Sequence, residues 1–298
     1  MSNPIALPTL LGEYPGTRAL RRGEVKSDAI RLDFAEVKSA ASAFKRVVRD
    51  LEFEVAELAI VTFLLAKAHG KPLVLLPAVV LGRFQHPFLV YNRERGPLKP
   101  SDLTGRRVGI RSYSVTTATW VRGILAEDWG VDLDRVTWVT FEEPHLAEYR
   151  EPAHVTRADE GKTLKQMLLD GEIDAAILGD VAEDGPIKHL IPNHAADGQR
   201  WAHAHGGVPI NHMAVIREPI ARSRPDVVRE VYRMLKESRA AAALPAGPDD
   251  PLRMGVAANR ASLEQMVAYA FQQGLISRCP TADELFADAV RILGAAAH

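Results

Sequence analysis

Short apolar runs alternate with stretches of helical period along the first two thirds of the chain, and this alternation points to an α/β sheet architecture. Residues 5–11 and 30–34 read as strands, the second with Ile30, Leu32 and Phe34 on one side. Residues 42–51 place Phe44, Val47, Val48 and Leu51 on one helical face. Residues 55–61 and 73–81 read as buried strands around a helix that stops near His69 and Gly70, and 88–91 as a further strand. Gly96-Pro97-Leu98-Lys99-Pro100 then interrupts the pattern with a proline-bracketed connector. Beyond it, strands at 108–110, 136–141 and 175–178 alternate with helices at 117–129 and 164–169. Residues 209–216 lead out, and the last third is helical at 225–243, 260–273 and 281–293.

A chain of 298 residues exceeds the usual length of one domain. The order of elements predicts a discontinuous first lobe (1–98 and 207–298), an inserted second lobe (99–206), and a ligand cleft between them. Charge narrows the partners: 37 basic against 38 acidic residues leave a net of −1, which gives no footprint for nucleic acid or anionic lipid. Cys279, the single cysteine, has no partner for a disulfide or a thiolate metal site and reads as an inert thiol. The stretch from Met1 to Leu11 has no basic residue and is broken by Pro4 and Pro8, unlike a secretory signal. The longest apolar stretches, 56–68 and 73–81, are interrupted by Glu57, Thr62, Lys67 and Pro77 and are too short for a bilayer. The expectation is a cytoplasmic protein with no membrane or nucleic-acid partner, with self-association into a homo-oligomer left open.

Three groups of residues suggest chemistry. In Gly105–Gly123 a strand runs through a hydroxyl-rich loop (Ser112, Tyr113, Ser114, Thr116, Thr117) straight into a helix. Unpaired N–H groups at a helix start can bind a carboxylate or phosphate, although the same hydroxyls also suit plain capping. Histidines form the second group: His86 between two strands, and His203, His205 and His212 where the chain recrosses. The last three could ligate a divalent metal; alternatively a histidine moves a proton, with His203 and His205 then only solvated helix-end residues. Arg18, Arg83 and Arg111 near strand ends are candidate carboxylate anchors. The acids at 170–174 and the Glu142-Glu143 pair read as turn and surface groups, and no P-loop, serine triad or GxGxxG element occurs.

In the same order along nearly the whole chain, these segments resemble the 4,5-dihydroxyphthalate decarboxylases. The resemblance is carried by Tyr14 with Thr17-Arg18-Ala19-Leu20, by Phe53-Glu54-Val55-Ala56-Glu57, and by Arg83-Phe84 with His86. It continues through Thr116–Gly123, Gly171-Glu172-Ile173-Asp174-Ala175 and Val208-Pro209-Ile210-Asn211-His212, and closes with Ala258-Asn259-Arg260-Ala261 and Gln273-Gly274-Leu275-Ile276. Residues 142–165 and 243–256 match poorly. The chain also departs where Pro15-Gly16 follows Tyr14, where 58–63 is unusually apolar, and at Arg111-Ser112-Tyr113, so its substrate is expected to differ in detail. The resemblance implies a two-lobed type 2 periplasmic-binding-protein-like fold and the decarboxylation of a small hydroxylated aromatic carboxylate without an organic cofactor. His212 or His86 would then protonate the ring carbon bearing the carboxylate. Arg18, Arg83 and the Ser112, Ser114, Thr116 and Thr117 hydroxyls would hold carboxylates, with Tyr14 and Tyr113 beside the ring. A non-catalytic solute-binding protein for a small aromatic or dicarboxylic acid is the alternative. A pyrimidine-synthesising relative would need a cysteine-rich motif, and a regulator's effector domain would need a helix-turn-helix segment before Ile5.

Overall fold

The computed structural model describes residues 3–179, 181, 184–245, 247 and 249–298. The chain opens with β1 (Ile5–Leu10), a single turn α1 (Arg18–Arg21), β2 (Ile30–Phe34) and β3 (Val55–Ala59). It passes directly into α2 (Ile60–Ala68) and returns through β4 (Leu73–Gly82). There follow β5 (Leu89–Asn92), β6 (Arg107–Ile110), α3 (Thr116–Trp129), β7 (Thr137–Thr140), β8 (Val155–Arg157), α4 (Leu164–Asp170), β9 (Ala175–Ile177), β10 (Ile187–His189) and α5 (His194–Ala204). The chain ends with β11 (Ile210–Arg217), α6 (Glu218–Ser223), α7 (Pro225–Ala241), α8 (Val256–Gln272) and α9 (Ala282–Leu293).

Two α/β sheets result. The first has the order β2-β1-β3-β11-β4, with β1, β2 and β3 parallel and β11 antiparallel to both of its neighbours. The second has the order β10-β5-β9-β6-β7-β8, parallel from β9 to β8 and antiparallel at β5 and β10. β3 is buried along its whole length, as in a sheet covered on both faces. Pro77 is tolerated in β4 because that strand pairs with only one neighbour in the sheet. On its other side, the Pro77 carbonyl accepts the Gly255 N–H at 2.8 Å.

Several elements differ from the sequence expectation for identifiable reasons. The strand expected over 55–61 ends at Ala59, and Ile60 already begins α2. Ile60 through Ala66 are all buried, so the one-sided periodicity that separates helix from strand is missing there. Residues 42–51 form a 3₁₀ turn (Ala40–Ala43) and a wide π turn (Arg46–Asp50) that closes at Leu51 with φ 52°, still burying Phe44, Val47 and Val48. β5 pairs with β9 and β10, so the crossing between sheets falls at 83–88, and Gly96–Pro100 lies within the second sheet's own connection. β8, β10 and α5 had no clear signal in the sequence. No helix among the described residues is long and apolar enough to cross a membrane.

Candidate functional site

A cavity of about 790 Å³ opens where the two sheets face each other, a volume suited to a small ligand. Ala59 at the end of β3, Ile110 at the end of β6 and Ile177 at the end of β9 line it, together with Asn211 and His212 near the start of β11. Ligands in open α/β sheets gather at such strand ends. Thr116, Thr117 and Ala118, the first turn of α3, also face the cavity, and no side chain caps that helix start. Its first N–H groups therefore have no partner among the described residues and lie at the positive end of the helix dipole. Thr116 Oγ1 accepts the Val61 N–H at 3.2 Å, which ties the starts of α2 and α3 together.

Beside the cavity lies a buried carboxylate. Glu57 sits in the middle of β3 with a fully buried side chain, and three donors converge on it. The Gly12 N–H meets Oε2 at 2.9 Å, the Tyr14 hydroxyl meets Oε1 at 2.8 Å, and His212 Nδ1 lies 3.1 Å from Oε1. The register explains the last contact. His212 pairs with Ala59 and Ala214 with Glu57, so His212 and Glu57 are diagonal neighbours on one sheet face. Glycine is required at position 12, because a Cβ there would stand 2.8 Å from the Tyr14 ring. The carboxylate accepts, so His212 carries a hydrogen on Nδ1, and its Nε2 has no protein partner among the described residues. Burial, and then the Glu57 charge, push the Tyr14 phenol above its usual range, which keeps its hydroxyl protonated as a donor.

Three cations line the same space, and their partners differ. Arg111 lies 3.6 Å from Glu142, and Lys162 is paired with Glu172. Arg83 has no carboxylate within 4 Å among the described residues. Its guanidinium lies over the Phe88 ring at 4.2 Å and donates to Thr117 Oγ1 at 3.2 Å. Thr117 Oγ1 also accepts from Asn211 Nδ2 at 3.2 Å, so its own hydrogen is free for a ligand. Crowding by protein lowers the Arg83 pKa from its usual value, although the side chain keeps access to solvent. An unpaired cation in such a place suits an anionic ligand.

A second imidazole faces the cavity from a segment that carries no signal in the sequence. His145, in the loop after β7, lines the cavity with Nδ1 2.8 Å from Thr62 Oγ1. Arg49 holds this loop from the first sheet's side by donating to the carbonyls of Pro144 and His145, each at 2.8 Å. Burial pushes the His145 pKa down to about 3, and Arg111, Lys45, His212 and Arg49 add to the effect.

The remaining expected residues lie elsewhere. His86 is buried outside the cavity lining, with neither ring nitrogen partnered among the described residues and its ring 6.3 Å from that of Trp129. Arg18 is exposed on the surface, 3.6 Å from Glu13, and does not reach the cavity. Tyr113 is a core residue under the Arg122 guanidinium at 3.8 Å, and Ser112 and Ser114 are buried with it outside the lining. The loop after β6 folds into the core, which leaves Arg111, Val115, Thr116 and Thr117 on the cavity wall. His203 pairs with Asp249 at 3.0 Å, and His205 pairs with Glu127 at 2.9 Å while stacking on Trp201. The expected ligand set of His203, His205 and His212 is therefore not assembled. No group of three His, Cys, Asp or Glu side chains among the described residues is arranged to hold a metal ion.

Comparison with known proteins gives two kinds of likeness. A 4,5-dihydroxyphthalate decarboxylase of Pseudomonas putida is 32% identical over 183 residues, covering 59% of this chain and 70% of the relative. A 4,5-dihydroxyphthalate decarboxylase of Comamonas testosteroni is 27% identical over 252 residues, covering 80% of this chain and 76% of the relative. No family profile matches. Among solved structures, the alkanesulfonate-binding protein SsuA of Xanthomonas axonopodis pv. citri, bound to MOPS, superposes with a TM-score of 0.61 at 13% identity, covering 97% of this chain and 99% of that one. The ligand-binding component of an ABC-type import system from Staphylococcus aureus, with zinc bound, gives a TM-score of 0.56 at 12% identity over 97% of this chain and 100% of that one. These likenesses show the two-lobed type 2 periplasmic-binding-protein-like fold.

Proposed function

The chain belongs to the 4,5-dihydroxyphthalate decarboxylase family, and on that premise we propose that it removes CO2 from a hydroxylated aromatic carboxylic acid. One observation carries the reading: an imidazole anchored on a buried carboxylate shares a cavity with a guanidinium that has no counter-ion among the described residues. Arg83, the Thr117 hydroxyl and the first N–H groups of α3 hold the substrate's carboxylates. His212, which keeps its Nδ1 hydrogen on Glu57 and takes a second proton from solvent on Nε2, gives that Nε2 proton to the ring carbon that bears the departing carboxylate. A ring hydroxyl ortho or para to that carbon supplies electrons, so the cationic ring is stabilised. The carbon–carbon bond then breaks, its electron pair restores the aromatic ring, and CO2 leaves. Glu57 keeps the imidazole's orientation and pairs with its charge whenever the ring is protonated.

The test is CO2 release from a panel of hydroxylated aromatic acids, 4,5-dihydroxyphthalate among them, by the wild-type protein and by His212→Ala. Release is expected from at least one phenolic acid, with kcat reduced by roughly 10²–10⁴-fold in the variant. Ligand-induced thermal stabilisation by these acids with no CO2 from any of them would replace this reading with that of a solute-binding protein.

A further inference from the structure

His145 and His212 present edge-on contacts to one phenylalanine: their ring centroids lie 5.6 and 5.1 Å from that of Phe44. Both line the cavity, and the reaction proposed above uses only one of them. We infer that His145 is the residue that receives the substrate's phenolic hydroxyl, accepting its hydrogen while His212 protonates the ring. The inference rests on the decarboxylase reading and accounts for the second proton that such a reaction moves.

The geometry fits this division of work. Thr62 Oγ1, 2.8 Å from Nδ1, accepts the Nδ1 hydrogen in the tautomer whose Nε2 has a free lone pair. No protein group among the described residues occupies Nε2. The charged groups around the ring are Arg111 on the cavity wall with Glu142 at 3.6 Å, Lys45 and Arg49 from the turns before β3, His212 beyond Phe44, and Glu143, which is salt-bridged to Lys45 at 2.7 Å and to Arg49 at 3.6 Å. Burial first, and the predominance of cations second, keep the imidazole uncharged and able to accept. Two titratable groups in one site whose surroundings differ in this way divide into an acid and a base.

A weak base suffices for the chemistry. Once the ring carbon takes the proton from His212, a lone pair of the hydroxyl oxygen is drawn into the ring and its O–H becomes strongly acidic. That proton passes to His145 Nε2 and leaves a neutral dienone. When the carbon–carbon bond breaks, its electron pair restores aromaticity, the carbonyl oxygen becomes a phenolate, and the proton on His145 returns to it. The net consumption is the one proton from His212, which solvent replaces.

Calorimetric titration of 4,5-dihydroxyphthalate and of phthalate, which lacks both hydroxyls, tests the assignment together with CO2 release. Wild-type protein is expected to bind the dihydroxy acid at least ten-fold more tightly. In His145→Ala that preference falls to within about three-fold through the dihydroxy acid alone, and kcat falls by about 10²-fold. In His145→Gln the carboxamide restores the binding preference without restoring kcat, because it accepts a hydrogen bond but cannot carry the proton. Equal affinities in the wild type, failure to bind either acid, or an unchanged preference in His145→Ala would overturn the inference. A wild type that discriminates the pair through His145 yet releases no CO2 refutes the decarboxylase reading and keeps His145 as the residue that reads the hydroxyl.

Discussion

Two imidazoles face the same cavity from opposite kinds of surroundings. His212 is presented by a central strand of the first sheet and leans on a carboxylate that three donors hold in place. His145 comes from a loop of the second sheet, leans on a hydroxyl, and is encircled mainly by positive charge. The difference teaches that residue type does not set the role. A strand-borne ring with an anionic support suits proton delivery, whereas a ring kept neutral by burial and cations suits acceptance.

The comparison breaks most severely at Glu57. Glu57→Gln keeps the shape but removes the negative charge, and an amide cannot accept from all three donors as a carboxylate does. We expect kcat for CO2 release to fall by roughly 10²–10³-fold with KM within a few-fold, since the substrate-holding groups are untouched. A KM effect equal to the kcat effect would mean that Glu57 only maintains the cavity's shape. Arg83→Leu should give the converse pattern. Losing one charge-assisted bond of about 1.5–3 kcal/mol raises KM by roughly 10–100-fold with a smaller change in kcat. An unchanged KM would remove Arg83 from the carboxylate site.

The residues involved show what the sequence could reveal. Tyr14, Arg83, Thr116, Thr117 and His212 were readable because they fall in segments with recognisable order and line the cavity once folded. Arg18 belongs to an equally recognisable segment, and Ser112, Tyr113 and Ser114 to the hydroxyl-rich loop before α3, but only the path of the chain decides which side chains turn into the core or out to solvent. Glu57 carries a signal of burial rather than of chemistry: an acid within Val55-Ala56-Glu57-Leu58-Ala59 cannot be buried without donors. His145 left none. It lies in 142–165, where the resemblance fails, and its partner Thr62 sits in the apolar stretch 56–68, just past the expected strand 55–61.

His86 provides a control for the second imidazole. It too is buried and neutral, pushed down to about 4 chiefly by burial, but it lies outside the cavity. An imidazole of lower pKa in the folded than in the unfolded chain favours folding above its ordinary pKa near 6.5. That contribution is lost as pH falls from there towards 4, because the unfolded chain binds the proton first. His86→Leu should therefore lose less stability than wild type between pH 7 and pH 5, by about 2 kcal/mol, with turnover at pH 7 nearly unchanged. Parallel pH dependence of unfolding in the two proteins would contradict the burial argument, and a large loss of turnover would return His86 to the candidate acids.

The smallest effect is expected at Thr62, where it separates orientation from chemistry. Thr62→Val removes the hydroxyl at nearly constant shape and leaves His145 Nδ1 without a partner, a change of about 1 kcal/mol. Expressed in the transition state, that amounts to about five-fold in kcat. Thr62→Ser should restore the loss, since the hydroxyl is what matters, whereas a deficit due to packing would persist in the serine variant. Because α2 begins only two residues before Thr62, both variants should be checked for an intact cavity by measuring phthalate affinity, which does not depend on a hydroxyl-reading imidazole. Unchanged kcat in Thr62→Val with unchanged phthalate binding would mean that the His145 ring is fixed by Phe44 and the Arg49-held loop alone, and the tautomer assigned to it would lose its support.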